Sequence, residues 1–292
     1  YYELIKEELI SNEIYGQVKD YSKNRHDLET RYDVGKLLYK AGKHYGERII
    51  KEYSIKLTSE LGKGYDATSL KRMRQFYLLI EKGAPLGHQL TWSHYRELLP
   101  LKDINEINYY IKKTITLSLS RNALRNLIKS KEYERLPNDT KLKLSNNENT
   151  TLPDIIPNPI IINNPNNIEV IKEKRLQMLI MENISSFLKE LGAGFTFIDN
   201  EYPIKIGNTY NYIDLLLFNY RYNCFVVIEL KINELKKQDI GQIEIYMNYI
   251  NTNLKKVYHD KTIGIILCKK DNKFIIEYSS DKRILSREYL LN

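Results

Sequence analysis

The chain has 292 residues, more than one compact hydrophobic core usually holds, so two domains are the first expectation. Its 42% hydrophobic and 28% charged residues describe a soluble globular protein. No run approaches the roughly 20 apolar residues of a membrane helix. The net charge of +8 lies wholly in the first half: residues 1–145 carry 27 Lys and Arg against 19 Asp and Glu, while 146–292 carry 18 of each. Such a surplus attracts a phosphate backbone, although a merely solvated basic surface would carry it too.

The opening residues, Tyr1-Tyr2-Glu3-Leu4, lack the apolar core of a secretory signal. A start without Met leaves an upstream segment open. Cys224 and Cys268 lie in apolar, strand-like runs and are too few for a disulfide framework or a zinc site. A reducing cytoplasm is the expected location. The 24 tyrosines accompany abundant Asn, Ile and Lys; that fits an AT-rich coding sequence and says little about base stacking.

Apolar residues spaced three and four apart predict helices over 28–39, 46–61, 68–80, 92–99, 104–114 and 121–131. In the third, Leu70, Met73, Tyr77 and Ile80 form the expected buried stripe. Lys71, Arg72, Arg74 and Gln75 then point elsewhere. The glycine-bearing turn over 62–66 precedes it, so helix, tight turn and a second helix opening with Arg and Gln have the layout of a helix-turn-helix. Ser120 can cap the last helix, where Arg121 and Arg125 offer a similar basic set. An ordinary helical bundle would show the same pattern.

From Pro137 to Asn167 the chain is rich in proline and asparagine, which remove backbone donors and favour turns. A linker over 137–168 is expected, separating a helical domain at 1–136 from a second domain at 169–292. The second domain opens with a helix over 175–191 that stops at Gly192. Short β-branched runs follow at 195–198, 201–206, 212–218 and 224–231. A helix at 237–251 and strands at 262–268 and 273–278 complete it. The fold class is therefore α+β overall: an all-α N-terminal domain, then an α/β core with a mixed sheet covered by helices.

Charges interrupt two of these strands. Asp214 opens the apolar run Leu215-Leu216-Leu217-Phe218, and Glu229 and Lys231 close Phe225-Val226-Val227-Ile228. Side chains alternate along a strand, so Glu229 and Lys231 share a face. Burying a carboxylate costs several kcal/mol unless a cation neutralises it. Two carboxylates on neighbouring strands therefore ask for a hard divalent ion such as Mg²⁺, with Mn²⁺ as a substitute. Ion, carboxylates and a nearby ammonium are the parts needed to hydrolyse a phosphodiester. The plainer alternative is a Glu229–Lys231 ion pair at a strand end with Asp214 merely solvated. Glu-x-Lys alone is a common triplet. The histidines, His26, His44, His88, His94 and His259, show no metal-ligand spacing, and His94 reads as a packed or capping residue. No phosphate-binding glycine loop is present.

Ile213-Asp214-Leu215-Leu216-Leu217-Phe218, followed by Phe225-Val226-Val227-Ile228-Glu229-Leu230-Lys231, resembles motifs II and III of the PD-(D/E)XK nuclease superfamily, with Ile213 where the pattern has Pro. The resemblance is closer to its YhcG-type branch, through residues 188–197, 212–218, 226–231 and 262–269. Tyr65, Lys71-Arg72-Met73-Arg74-Gln75-Phe76-Tyr77 and Thr91-Trp92-Ser93-His94-Tyr95 extend it into the N-terminal half. Asn108-Tyr109-Tyr110 departs from that family, which tends to have Arg before a Phe-Tyr pair. The resemblance implies a restriction-endonuclease-like core acting on DNA with a divalent metal, RNA remaining open, behind a helical domain that binds the nucleic acid. It also implies an acid on the first core helix, matched by Glu182 with Gln177 one turn earlier, and a glutamine after the Glu-x-Lys strand, matched by Gln242. Tyr246 lies one turn beyond Gln242 on the same helix face. A homodimer would suit cutting both strands. The rival reading is a nucleic-acid-binding or assembly module whose nuclease core no longer cuts.

Overall fold

A computed structural model of the chain describes residues 1–17, 23–86, 89–170, 172–279 and 281–292. It divides into two units, Tyr1–Tyr133 and Glu134–Asn292. No described helix is long and apolar enough to cross a membrane.

The first unit is helical throughout its described elements: α1 (Tyr2–Gln17), α2 (Lys23–Tyr45), α3 (Ile49–Leu61), α4 (Ala67–Glu81), α5 (Trp92–Leu98), α6 (Ile104–Leu117) and α7 (Arg121–Lys129). Helix α1 was not anticipated. The turn over 62–66 closes α3 at Gly62, with φ 91°, and starts α4 at Asp66, whose carboxylate accepts from the Thr68 and Ser69 amides. The buried face of α4 is Leu70, Met73, Phe76 and Leu79, rotated from the expected stripe. Tyr77 instead stacks at its edge against Tyr32 and Tyr39. Gly35, in the middle of α2, marks where α2 meets α4: a Cβ there would lie 2.2 Å from the Met73 carbonyl oxygen. His94 does cap α5. Its Nδ1 accepts from the Thr91 amide at 3.1 Å, so Nε2 carries the proton that faces the Leu119 carbonyl. His88 lies outside the described residues.

Through α8 (Glu132–Arg135) the chain enters the second unit, and here the linker expectation fails. Residues 137–168 contain α9 (Asn138–Ser145), α10 (Leu152–Ile155) and strand β1 (Ile160–Ile162). Leu152, Ile156, Ile160 and Ile162 are buried in the same core cluster as the sheet. Polar side chains satisfy the backbone that proline leaves unpaired. Arg287 donates to the carbonyls of Ile156 and Pro153, and Arg135 donates to that of Pro159. β1 sits at the sheet edge, where nearby prolines cost no central ladder bond.

The rest follows in the order α11 (Glu173–Glu182), α12 (Ile184–Leu191), β2 (Phe195–Ile206), β3 (Thr209–Asn219), β4 (Cys224–Glu234), α13 (Lys237–Asn253), β5 (Ile263–Lys270), α14 (Lys273–Glu277) and β6 (Ile284–Leu291). The expected single helix over 175–191 breaks at Asn183, whose φ and ψ of −126° and 34° leave the helical region. The expected strand over 273–278 is the short helix α14. β5 already has β4 on one side and β6 on the other, so the sheet has no slot there. The order β1-β6-β5-β4-β3-β2 is mixed: β2, β3 and β4 run antiparallel, while β4, β5, β6 and β1 run parallel. One core cluster lies against α11, α12 and residues 152–162, the other against α13. Residues 224–230 of β4 are all buried, as a central strand covered on both faces requires.

Ile156 separates a packed segment from a linker. We expect Ile156→Ala to lower the stability of the second unit by about 2–5 kcal/mol in urea unfolding, as for other buried large-to-small changes. A residue in a solvated linker would cost almost nothing.

Candidate active site

Strands β3 and β4 part company at the two acids. Their ladder runs from Asn219↔Cys224 to Leu215↔Ile228 and ends there. One step further, the Asp214 carboxylate itself accepts from the Leu230 amide at 2.7 Å, taking the place of a ladder bond. Asp214 also marks a fault within β3. Leu215 packs into the cluster under α11, whereas Ile213, two residues back, packs into the cluster under α13. A regular strand would put both on one face. Across β2 the same fault falls at Glu201, whose φ of 50° lies between the regular pairs Asn200↔Leu215 and Tyr202↔Ile213.

Glu229 is only 3% exposed. Its Oε1 accepts from Lys231 Nζ at 2.9 Å and from Gln242 Nε2 at 2.8 Å. Gln242 Nε2 lies 3.0 Å from the Tyr246 hydroxyl oxygen, which accepts from it, so α13 supplies two of the expected residues on one face. Oε2 of Glu229 is buried with no hydrogen-bond partner among the described residues. Burial pushes the Asp214 carboxyl up from its ordinary range, against the pull of the Leu230 amide and Lys231. Burial, followed by the negative charge of Asp214, pushes Glu229 up as well. Lys231 is opposed by its own burial, yet the adjacent Glu229 carboxylate raises its pKa.

An orphaned carboxylate oxygen beside a second, half-buried carboxylate is a donor set that a hard cation fits, and Asp214 with Glu229 would hold it. Among the described residues no three His, Cys, Asp or Glu side chains converge as a metal cage. An ion here would therefore rest on two protein carboxylates and complete its shell with water and phosphate oxygens.

The structure brings together Asp214, Glu229, Lys231, Gln242 and Tyr246. It does not bring in Glu182, which ends α11 exposed to solvent. The residues of α11 that face the acids are Glu173 and Gln177, four apart on one helix face. Gln177 is buried and donates to the Asp214 backbone carbonyl at 3.0 Å, satisfying a group at the strand fault. Glu173 lies 3.9 Å from the Lys231 ammonium. Glu182 stands nine positions beyond Glu173, half a turn out of phase. The buried face of Leu176 and Ile180 would have pointed to Glu173 rather than Glu182.

In the helical unit, Lys71 and Gln75 are exposed and Arg72 half-exposed. Arg74 is tied to Glu47 at 2.6 Å. Arg121 and Arg125 both grip Glu97, and their hydrogen bonds, that of Arg125 above all, hold this carboxyl down at about 2.

Residues 154–291 match the family described as the YhcG PDDEXK nuclease domain, and residues 16–135 match the DUF1016 N-terminal domain. The YhcG protein of Escherichia coli (strain K12) is 26% identical over 262 residues, covering 77% of this chain and 70% of its own length. Among solved structures, a repair endonuclease from Pyrococcus abyssi is 22% identical at a TM-score of 0.29, covering 41% of this chain and 49% of that one. EndoMS in complex with dsDNA is 21% identical at a TM-score of 0.30, covering 43% and 48%. The chain thus spans about half the length of these solved chains.

The raised carboxyls give a signed pH dependence. Both acids bind protons more tightly folded than unfolded, so the stability they remove is absent at low pH and grows as pH rises through their folded values. We expect the melting temperature of metal-free protein to fall between about pH 5 and about pH 8. Added Mg²⁺ or Mn²⁺ should raise it at the higher pH and hardly at the lower, because the cation needs both groups ionised. Glu229→Gln should raise the metal-free value at the higher pH and abolish the response to metal. A response unchanged in Glu229→Gln would contradict this reading of the site.

Proposed function

We propose that this chain, whose residues 154–291 belong to the YhcG PDDEXK nuclease family, is a Mg²⁺-dependent deoxyribonuclease that hydrolyses phosphodiester bonds. Nucleases of this class generally use divalent metal ions. The observation that carries the reading is the Asp214–Glu229 pair: a half-buried and a buried carboxylate, the latter with an oxygen unpartnered among the described residues, beside a lysine 2.9 Å from Glu229. When bound, the ion would supply positive charge for a phosphate oxygen and coordination for water. Asp214 and Glu229 would hold it. Lys231, clamped by Glu229 and near Glu173, keeps its ammonium at the site, where it orients an attacking water and balances charge building on the phosphate. Gln242 fixes Glu229 Oε1 and leaves its other oxygen free for the ion. Tyr246 accepts from Gln242 and keeps its own hydroxyl proton to offer a phosphate oxygen. Gln177 positions Asp214 through the backbone.

The helical unit is assigned to binding the DNA backbone, in keeping with its surplus of positive charge. Lys71, Arg72 and Gln75 are free to face it on α4. Arg74 is committed to Glu47, and Arg121 and Arg125 reach solvent only with the donors that Glu97 leaves spare.

The test is cleavage of plasmid, linear and single-stranded DNA, and of RNA, with Mg²⁺ or Mn²⁺. We expect Glu229→Ala and Lys231→Ala each to slow turnover by about a hundredfold or more, the scale of losing one preorganised electrostatic group. EDTA should abolish it. Binding without turnover by the unaltered chain on every substrate would favour a module that no longer cuts.

A further inference from the structure

Beyond the fork at Asp214, strands β2 and β3 continue as a two-stranded arm that β4 does not pair with. Its pairs run Tyr202↔Ile213, Pro203↔Tyr212, Ile204↔Asn211, Lys205↔Tyr210 and Ile206↔Thr209. The two faces of this arm differ. Tyr202, Ile204 and Ile213 pack into the cluster under α13. The opposite face presents Pro203, Lys205, Tyr210 and Tyr212 to solvent, with the two tyrosines 61% and 56% exposed. Tyr212 stands two residues from Asp214 along one strand, about 7 Å, and Tyr210 stands about 7 Å further. The Lys205 ammonium sits 5.7 Å from the centre of the Tyr210 ring.

Resting on the nuclease reading of the fork, we infer that this face is a stacking platform for the bases of single-stranded nucleic acid entering the site. Three features select that occupant. The platform starts two residues from Asp214 on the α11 side of the sheet, the side from which Gln177 and Glu173 reach Asp214 and Lys231, so a strand whose phosphate lies at the fork can run along the arm. The exposed groups are aromatic rings beside a lysine, which suit a base together with its phosphate, whereas protein interfaces are depleted in lysine. The tyrosines are spaced about two base steps of ~3.4 Å apart. A duplex keeps its base faces stacked inside and offers only edges and backbone; an unpaired strand can turn its bases onto the rings.

The experiment is fluorescence anisotropy on the full chain in EDTA, which stops cleavage. The probes are a labelled single-stranded DNA oligonucleotide, an abasic deoxyribose-phosphate oligomer of equal length, and the matching duplex. Tyr210→Ala/Tyr212→Ala should weaken single-strand binding about tenfold or more, and Tyr210→Phe/Tyr212→Phe by less than about threefold, since the ring is kept. The loss should vanish on the abasic oligomer. Unaltered affinity in the double alanine variant overturns the platform, as does an equal loss on the abasic strand. A loss larger on duplex than on the single strand overturns it too. Normal single-strand affinity with metal-dependent cleavage in that variant sinks the platform and leaves the nuclease reading standing; a wild-type chain that neither binds nor cuts nucleic acid removes both.

Discussion

Two carboxylates cannot be drawn side by side out of bulk water without an answer to their charge. Asp214 and Glu229 are placed at the fork where β3 and β4 stop pairing, and both are pushed toward holding protons. The surrounding structure compensates only in part. Lys231 and Gln242 both engage the same oxygen of Glu229, the Leu230 amide engages Asp214, and the other Glu229 oxygen has no partner among the described residues. Replacing such groups by apolar ones would stabilise many folds. Their presence on two adjacent strands inside the sheet fits the stability cost of a site that would hold a cation and a phosphate.

The sheet supplies rigidity where this arrangement needs it. β4 is covered on both faces, so Glu229 and Lys231 leave a strand that cannot shift without disturbing two core clusters. β3 is regular up to Leu215 and irregular at Asp214, and Gln177 holds the irregular peptide from α11. An amide suits that task, because it donates to a carbonyl that a carboxylate could only repel. α13 approaches from the other face to set Gln242 and Tyr246. Supports thus reach the two acids from opposite sides of one sheet.

Much of this was legible in the sequence, for identifiable reasons. Charges that open or close apolar runs are conspicuous, and strand alternation put Glu229 and Lys231 together. The helices α2 to α7 announced themselves through three- and four-residue spacing, while α1, with a mixed face, did not. The segment 137–168 misled because proline and asparagine were weighed more heavily than Leu152, Ile156, Ile160 and Ile162, whose burial depends on β6 some 130 residues away. Glu182 misled because the helix over 175–191 was read as one piece without fixing which face meets the sheet. Glu173 and Gln177 owe their place to the packing of α11 across β4, and Asp214's lost ladder partner is a property of two strands. Single-sequence periodicity carries neither.

The central claim is that Asp214 and Glu229 together would hold one divalent cation. Anomalous diffraction from a crystal equilibrated with Mn²⁺ addresses it directly. The account requires a peak within coordination distance of a carboxylate oxygen from each residue, lost in Glu229→Gln. Manganese bound elsewhere, or two carboxyls that remain protonated and metal-free at neutral pH, would contradict it.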